Sequence, residues 1–197
     1  METQTKTDRR VLRTKEAINR SFLELFSEKE FDRITINDIA ERANVNRGTV
    51  YLHYMDKYDL LDKCIDDHLN KMILSCTFTK SSQENVNRIE AIESVKSLFI
   101  YIGQNFLFFS SMLSNKKTSA FLERMLQTLS STIREKVNMQ GINQGMDKDL
   151  IIQLTASAFA GMVENWISSN FQHPPQFMAK HVLELFERNN IECPKKD

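Results

Sequence analysis

The chain has 197 residues, enough for one sizeable domain or for a small domain joined to a larger one. Its 26 lysines and arginines balance its 26 aspartates and glutamates, so any nucleic-acid binding must come from a local basic patch. Hydrophobic residues make up 41%, which supports a real core, and only 5 glycines and 3 prolines indicate a mostly helical protein.

The sequence predicts a cytoplasmic protein that does not associate with a membrane. The start METQTKTDRR lacks the apolar core of a signal peptide, and we find no apolar run long enough to cross a bilayer. The three cysteines, Cys64, Cys76 and Cys193, are widely spaced and odd in number. That pattern favours reduced thiols over a disulfide framework.

The N-terminal third predicts three helices in succession. We expect residues 1–9, which are polar, to form a loose arm, and residues 10–29 to form an amphipathic helix. Thr35, with Asp38 three residues later, has the pattern of an N-cap followed by a carboxylate near the positive end of a short second helix. A three-residue turn, 44–46, separates that helix from the segment RGTVYLHY, residues 47–54.

Two short helices joined by a short turn have the layout of a helix-turn-helix. On a helical wheel for residues 47–54, Val50 and Tyr54 fall together and should face the core. Gly48, Thr49 and Leu52 fall on the opposite side, with Tyr51 and His53 beside them. Tyr51 is the one member of this outer set that could also pack partly inward.

The outer face of this segment carries groups suited to DNA. Gly48 allows a close approach to a phosphate chain, and Thr49 and the tyrosine hydroxyls can donate to phosphate oxygens. Leu52 could meet a thymine methyl, and Arg47 could form a bidentate pair with guanine.

A basic patch lies nearby in the first predicted helix. Between residues 6 and 20 there are six basic and two acidic residues, a local charge of +4. The acidic residues are Asp8 and Glu16, and the basic ones are Lys6, Arg9, Arg10, Arg13, Lys15 and Arg20. We expect DNA contact here, from Arg10 and Arg13 in particular, although such a run can also be a solvated helix face.

The remainder of the chain predicts further helices. One helix follows Asp56, an N-cap with Asp59 at the third position, and is long enough to act as a strut. The polar segment 79–87 is the expected domain boundary, and SNKKTS, 114–119, is an expected turn. The predicted organisation is therefore a domain at 1–56, a connecting helix at 57–78 and a larger domain at 79–197.

Residues 33–61, RITINDIAERANVNRGTVYLHYMDKYDLL, resemble the N-terminal domain of the tetracycline-repressor (TetR) family. The resemblance covers 29 of the 197 residues. It departs from the family pattern at Asn44, where glycine is common, and at Tyr54, where phenylalanine is common. The matching positions are Thr35, Ile39, Ala40, Ala43, Val45, Gly48, Thr49, Tyr51, Lys57, Leu60 and Leu61.

The resemblance implies an all-α, homodimeric transcriptional regulator, usually a repressor, that binds a palindromic operator in double-stranded DNA. Thr35 and Lys57 would hold phosphates, and a small molecule in the C-terminal domain would move the fourth helix and release the operator. The residues lining the groove would be Asn46, Arg47, Gly48, Thr49, Tyr51, Leu52 and His53.

The C-terminal helices suggest a ligand pocket and a dimer interface, although both sets could equally be core. An aromatic and methionine-rich set favours an apolar or aromatic effector: Phe99, Tyr101, Phe106, Phe108, Phe109, Met112, Phe121, Met125, Met162 and Trp166. A second set combines small residues of the helix near residue 160 with the last helix, as in a four-helix interface: Ala158, Gly161, Met178, Val182, Leu185 and Phe186.

Other classes of protein have less support. We find no Gly-rich phosphate loop, HExxH or GxSxG motif, so we expect no enzyme and no cofactor. Cys64 and His68 stand at metal-binding spacing, but without convincing further ligands we expect no metal site. The alternative function is a helix-turn-helix scaffold that recruits or answers to a protein partner, without a small-molecule inducer.

Overall fold

The computed structural model describes residues 2–76, 88–114 and 119–191, with the side chains of 2–8, 114 and 119 left aside. The predicted boundary at 79–87, most of the turn at 114–119, the side chain of Lys6 and Cys193 lie outside the described residues. Helices dominate this part of the chain, as predicted, and its β-structure is limited to one isolated bridge between Val137 and Ile191.

The chain divides into two compact units, Met1–Asp67 and His68–Asp197, with the division inside one helix. The predicted division at 1–56, 57–78 and 79–197 stays a prediction. The described α-helices are α1 (Glu2–Glu28), α2 (Ile36–Arg42), α3 (Arg47–Tyr51), α4 (Lys57–Ser75), α5 (Arg88–Gln104), α6 (Phe106–Ser114), α7 (Ser119–Lys136), α8 (Lys148–Ser168) and α9 (Pro175–Arg188).

Two helix boundaries, at the start of α1 and at the end of α3, differ from the sequence prediction. Residues 1–9 were expected to form a loose arm, but α1 begins at Glu2, since no proline or glycine interrupts this polar stretch. Helix α3 ends at Tyr51, and the next two residues of the predicted helix, 52–53, form a turn. Asn105 divides the apolar segment that follows residue 88: its side chain binds the Tyr101 carbonyl, and its own carbonyl accepts from Phe108 and Phe109.

Aromatic rings form the centre of the first unit. Phe22 of α1 packs edge-on against Phe26 and against Phe31, which lies in a single 3-10 turn at Phe31–Arg33. Ile39 of α2 and Val50 of α3 are fully buried, and α2 packs against both α1 and α3. This apolar contact fixes which faces of α2 and α3 remain outside.

Short-range hydrogen bonds fix the start of α2 and the turn before α3. Thr35 and Asp38 form a capping box: the Thr35 hydroxyl accepts from the Asp38 amide, and the Asp38 carboxylate accepts from the Thr35 amide. Asn44, where the family pattern commonly has glycine, has φ of 51°, a left-handed conformation that asparagine tolerates. Asp56 caps α4 as predicted, accepting from the Tyr58 and Asp59 amides.

In the second unit, α5 packs along α9 and α7 along α8. Helix α8 is apolar and long enough to cross a membrane by length and composition, contrary to our expectation that no such run exists. Half of that apolar window is buried inside the unit, which is the arrangement of a core helix. The buried residues of α8 include Ile151, Ala156, Phe159 and Val163.

Asp38 makes the stability of the first unit depend on pH. A hydrogen bond from Lys29, and then those from the Thr35 amide and hydroxyl, lower the pKa of Asp38 from 3.8 to about 2. Because the folded-state pKa lies below the unfolded one, the stabilisation is present above 3.8 and is lost as pH falls toward 2. Asp38→Asn should therefore flatten the acid limb of the unfolding free energy, measured by urea titration at several pH values.

Asn37→Ala is the matched control, since it changes an exposed neighbour on the same helix and no carboxylate. It should keep the pH dependence of the unaltered protein. Equal acid limbs for the Asp38→Asn variant and the unaltered protein would contradict the assignment.

Candidate nucleic-acid interface and C-terminal cavity

Helix α3 is short and is held in place from both ends. The Asn46 side chain accepts from the Gly48 amide at 2.8 Å and caps the start of the helix. Val50 and Tyr54 are 0% and 4% exposed, as the helical wheel predicted. Tyr54 stands where phenylalanine is common in the family pattern. Its additional hydroxyl donates to the Asn19 side chain of α1 at 2.9 Å and so has a structural partner. Burial is the main cause that raises the pKa of Tyr54 to about 12.

The opposite face of α3 is open to solvent. Leu52 is 80% exposed and Tyr51 46%, although its wheel position also allowed Tyr51 to pack inward. Arg47 and Gly48 are exposed, whereas Thr49 and His53 are partly buried. Leu52 is therefore accessible to a partner surface, on a segment whose opposite side is buried.

Arg47 and Tyr51 interact across one turn of α3. Arg47 Nη2 donates to the Tyr51 hydroxyl at 3.1 Å, and the guanidinium carbon lies 5.3 Å from the centre of the tyrosine ring. The exposed arginine is therefore held over an aromatic face by a hydrogen bond and a cation–π contact.

Lys57 is committed to the fold of the first unit. Its ammonium group donates to the carbonyls of Phe31, Asp32 and Ile34, each at 3.0 Å, and lies 4.8 Å from the centre of the Phe31 ring. Since a lysine ammonium has three N–H donors, a phosphate contact at Lys57 would have to displace one of these carbonyls.

The other predicted phosphate contacts lie on the surface. Thr35 is exposed, with its hydroxyl used in the capping box. Arg10 and Arg13 are exposed on α1. Arg13 also lines an open groove with Arg20 and with Arg42 of α2, but Glu16, Glu24 and the Glu28 partner of Arg42 offset that positive charge. The basic character of α1 is therefore concentrated in its first half.

Two residues after α3 were not predicted from the sequence, Met55 before α4 and Lys63 within it. Met55 is 78% exposed, like Leu52 at 80%, and its amide donates to Asp59. Lys63 donates to the carbonyl of His53 and lies over the Tyr54 ring. A methionine directly after the predicted helix was a usable signal, whereas nothing in the sequence indicates that Lys63 folds back.

The predicted pocket residues form a packed aromatic cluster. Phe108, Phe109 and Phe121 are fully buried and meet edge to face. His68 stacks on Phe108 and hydrogen-bonds Tyr101 at 2.9 Å. Elsewhere Phe99 meets Trp166 at 5.2 Å, and Met112 and Met125 are buried. Phe106 is 41% exposed and Met162 is partly buried, so these two lie toward the surface.

A small apolar cavity lies beside this cluster and has a different lining. Its volume is about 40 Å³, room for a few atoms only, since pockets for drug-sized ligands have several hundred Å³. Burial is the main cause that raises the pKa of the Cys76 thiol in its wall to about 11. The lining residues are Ile73, Cys76, Val95, Leu98, Leu129, Thr132, Ile133, Lys136, Phe159, Val182, Phe186 and Ile191.

The predicted dimer residues do not share one surface. Met178 and Val182 are buried in the second unit, at 6% and 0% exposed. They are therefore not available to a partner, and Leu185 and Phe186 are only partly accessible. Ala158 and Gly161 are exposed, on the same side of α8 as Leu150 and Leu154.

Asparagines hold the cavity end of the second unit together. The buried Asn143 amide donates to the carbonyls of Asn138 and Asn189, each at 2.7 Å. Asn190 donates to Asn138 and Gln140. This network joins the loop after α7 to the end of α9, next to Ile191 in the cavity wall. Among the described residues, no group of three or more His, Cys, Asp or Glu side chains is placed to hold a metal ion.

Comparison with known families gives two matches along the chain. Residues 23–64 match the family described as "Bacterial regulatory proteins, tetR family". Residues 90–188 match the family described as "Transcriptional regulator C-terminal region". The first match includes α2, α3 and the turn between them, and the second extends from α5 to α9.

Individual relatives and structures agree with these matches. An uncharacterised HTH-type transcriptional regulator, YxbF of Bacillus subtilis, is 27% identical over 94% of this chain, which spans about half (48%) of that relative's length. The probable acrEF/envCD operon repressor of Escherichia coli is 22% identical, over 82% of this chain and 80% of its own. The structure of the regulator FadR from Bacillus subtilis in complex with stearoyl-CoA has a TM-score of 0.61 at 20% identity, covering 86% of this chain and 96% of that one.

The geometry at Lys57 generates a prediction about stability. Lys57→Met removes three hydrogen bonds to carbonyls of the turn, so the free energy of unfolding should fall by about 1–3 kcal/mol in a urea titration. Lys63→Met is the matched control: Lys63 is 54% exposed, pairs with Asp59 and has one carbonyl contact, to His53 at 3.3 Å, where Lys57 has three. Its loss should cost less than about 1 kcal/mol. If both variants lost the same free energy of unfolding, the three carbonyl contacts of Lys57 would not contribute more to stability than the contacts of Lys63.

Proposed function

Because this chain belongs to the TetR family of bacterial transcriptional regulators, we propose that it is a repressor that binds a palindromic operator as a dimer and leaves it when a small molecule binds. The observation that carries the proposal is the solvent-facing side of α3, a capped helix whose inner face is fully buried. A recognition helix must present its side chains rigidly to base edges.

The contacts to DNA divide into two kinds. Arg47 and Leu52 supply a guanine-type and a thymine-type contact in the major groove, with Asn46, Gly48, Thr49, Tyr51 and His53 around them. Arg10, Arg13 and Thr35 supply backbone contacts, which position the protein without reading sequence. For Lys57 we propose a structural function, since its ammonium is already bound by three carbonyls.

A second copy of the chain is the proposed occupant of the exposed face of α8. Leu150 and Leu154 are 50% and 60% exposed, and Ala158 and Gly161 continue this face with small residues. Small residues allow two helices to approach closely, and two copies of one helix face form a self-complementary interface. The dimer places two α3 helices for two half-sites.

The apolar cavity is the proposed starting point for effector binding. Its lining is almost wholly aliphatic and aromatic, and Ile73 and Cys76 at the end of α4 form part of the wall. The FadR structure contains stearoyl-CoA, a ligand with an apolar chain. An apolar effector would enlarge the cavity, shift α4 and change the separation of the two α3 helices. The proposal fails if a bound effector leaves operator affinity unchanged.

The small size of the cavity supports a second candidate function. With about 40 Å³, this cavity holds a few atoms only, and a small cavity favours a regulator that answers to a protein partner rather than to a small molecule. In both candidate functions the structure of the helix-turn-helix would be the same. A thermal-shift assay of the purified protein with apolar compounds distinguishes the two candidate functions. A raised melting temperature favours a small-molecule effector, and no change favours a protein partner.

The DNA-binding proposal predicts selective recovery of operator fragments. Purified protein mixed with sheared DNA of its own genome should enrich a few sites that share an inverted repeat. Arg47→Ala should weaken binding to them at least about fivefold, since a bidentate base contact gives about 1–3 kcal/mol. The measurement is fluorescence anisotropy on the recovered site.

Arg134→Ala is the control for a general loss of positive charge, because Arg134 is exposed in the second unit and pairs with Asp149. It should leave operator affinity unchanged. Folded protein that enriches no fragment at moderate salt would favour the partner-binding alternative.

The dimer proposal predicts a residue-specific dissociation. Leu154→Arg places a charge in the exposed face of α8 and should convert the dimer to a monomer in sedimentation velocity. Leu122→Arg on α7 starts from a comparably exposed leucine, at 39%, and should leave the dimer intact. A dimer that survives Leu154→Arg places the interface elsewhere.

A further inference from the structure

We propose that Tyr51 positions the Arg47 guanidinium for one guanine of each half-site, and so determines base specificity at that position. This inference rests on the proposed function, because it requires a DNA operator. It goes further by giving Tyr51 a role through another residue, in addition to any contact of its own.

The geometry places the two side chains in one unit. They stand four residues apart, on the same side of α3 and one turn from each other. Arg47 Nη2 donates to the Tyr51 hydroxyl at 3.1 Å, while the guanidinium carbon is 5.3 Å from the ring centre. The hydroxyl fixes one edge of the guanidinium, and the ring supports its face.

The remaining donors of Arg47 are available for a base. A guanidinium carries five N–H donors, of which Tyr51 takes one, and a bidentate contact to guanine O6 and N7 needs two. Within the described part of the chain, Arg47 has Tyr51 as its side-chain partner and makes no ion pair. No carboxylate of that part therefore competes with the base.

Positioning matters because both side chains are exposed. A free arginine samples many rotamers, and ordering it on DNA has an entropic cost for every contact it makes. An arginine already held against Tyr51 loses less freedom on binding. The tyrosine should therefore strengthen the guanine contact without itself touching the base.

Tyr51 could instead act alone, since its hydroxyl hydrogen remains free to donate to a phosphate. A phosphate contact lowers affinity for every sequence equally when it is removed. A positioning contact, by contrast, changes discrimination at one base pair and is silent when Arg47 is absent. The two roles give different results in a mutant cycle.

The experiment measures the affinity of the full chain for the operator recovered from its genome, with 7-deazaguanine replacing each guanine in turn. This substitution removes the N7 acceptor alone. In the unaltered protein one guanine per half-site should show a penalty of about two- to tenfold, the value of one hydrogen bond. Arg47→Ala should abolish that penalty.

Tyr51→Phe retains the ring and removes the hydroxyl, so it should reduce the penalty at the same guanine by about half or more. In the Arg47→Ala background it should change nothing at that guanine. Tyr58→Phe is the matched control, because Tyr58 is an exposed tyrosine of the same unit whose ring packs on Phe31. It should leave every penalty as it was.

Two results overturn the inference alone. One is a Tyr51→Phe variant that weakens all duplexes equally and keeps the full 7-deazaguanine penalty, which would show a direct backbone contact. The other is an Arg47→Ala variant that still loses affinity when 7-deazaguanine replaces that guanine. If the unaltered protein recovers no fragment, the proposed function fails, and this inference fails with it.

Discussion

The first unit depends on the ammonium group of Lys57, which binds three backbone carbonyls of the turn between α1 and α2. Lys57 is the first residue of α4, and the carbonyls belong to the segment just before α2. These hydrogen bonds therefore join the segment that precedes the helix-turn-helix to the helix that follows it. That turn contains Phe31, whose ring belongs to the core, and leads directly to Thr35, which caps α2. The position of α2 sets that of α3, so the exposed face of α3 depends on a lysine that lies behind it.

The first unit was largely predictable because its signals are local. A capping box needs Thr35 and Asp38 three residues apart, and a left-handed turn favours an asparagine such as Asn44; both patterns are visible in the sequence and both are present. The buried positions of Val50 and Tyr54 follow from helical periodicity. The direction of Lys57 was not predictable, because an ammonium can meet either a phosphate or a carbonyl and only tertiary structure decides between them.

The second unit was predictable as helices but not as surfaces. An apolar residue on an amphipathic helix has the same pattern whether it faces the core, a cavity or a second chain. Met178 and Val182 illustrate this: they lie on the apolar stripe of α9 and are buried in the second unit. The aromatic set is likewise packed on itself, and the cavity is lined mainly by apolar residues from five helices. Which helix packs on which is a long-range property that periodicity does not contain.

The single tryptophan of the chain makes the second unit optically separable from the first. Trp166 is 3% exposed, its indole nitrogen donates to the His173 carbonyl at 2.7 Å, and its ring meets Phe99 and Phe171. Its emission therefore reports the packing at the end of α8, while the first unit contributes only tyrosine signal. Selective excitation of the indole can thus follow the C-terminal helices in the presence of DNA, without an added label.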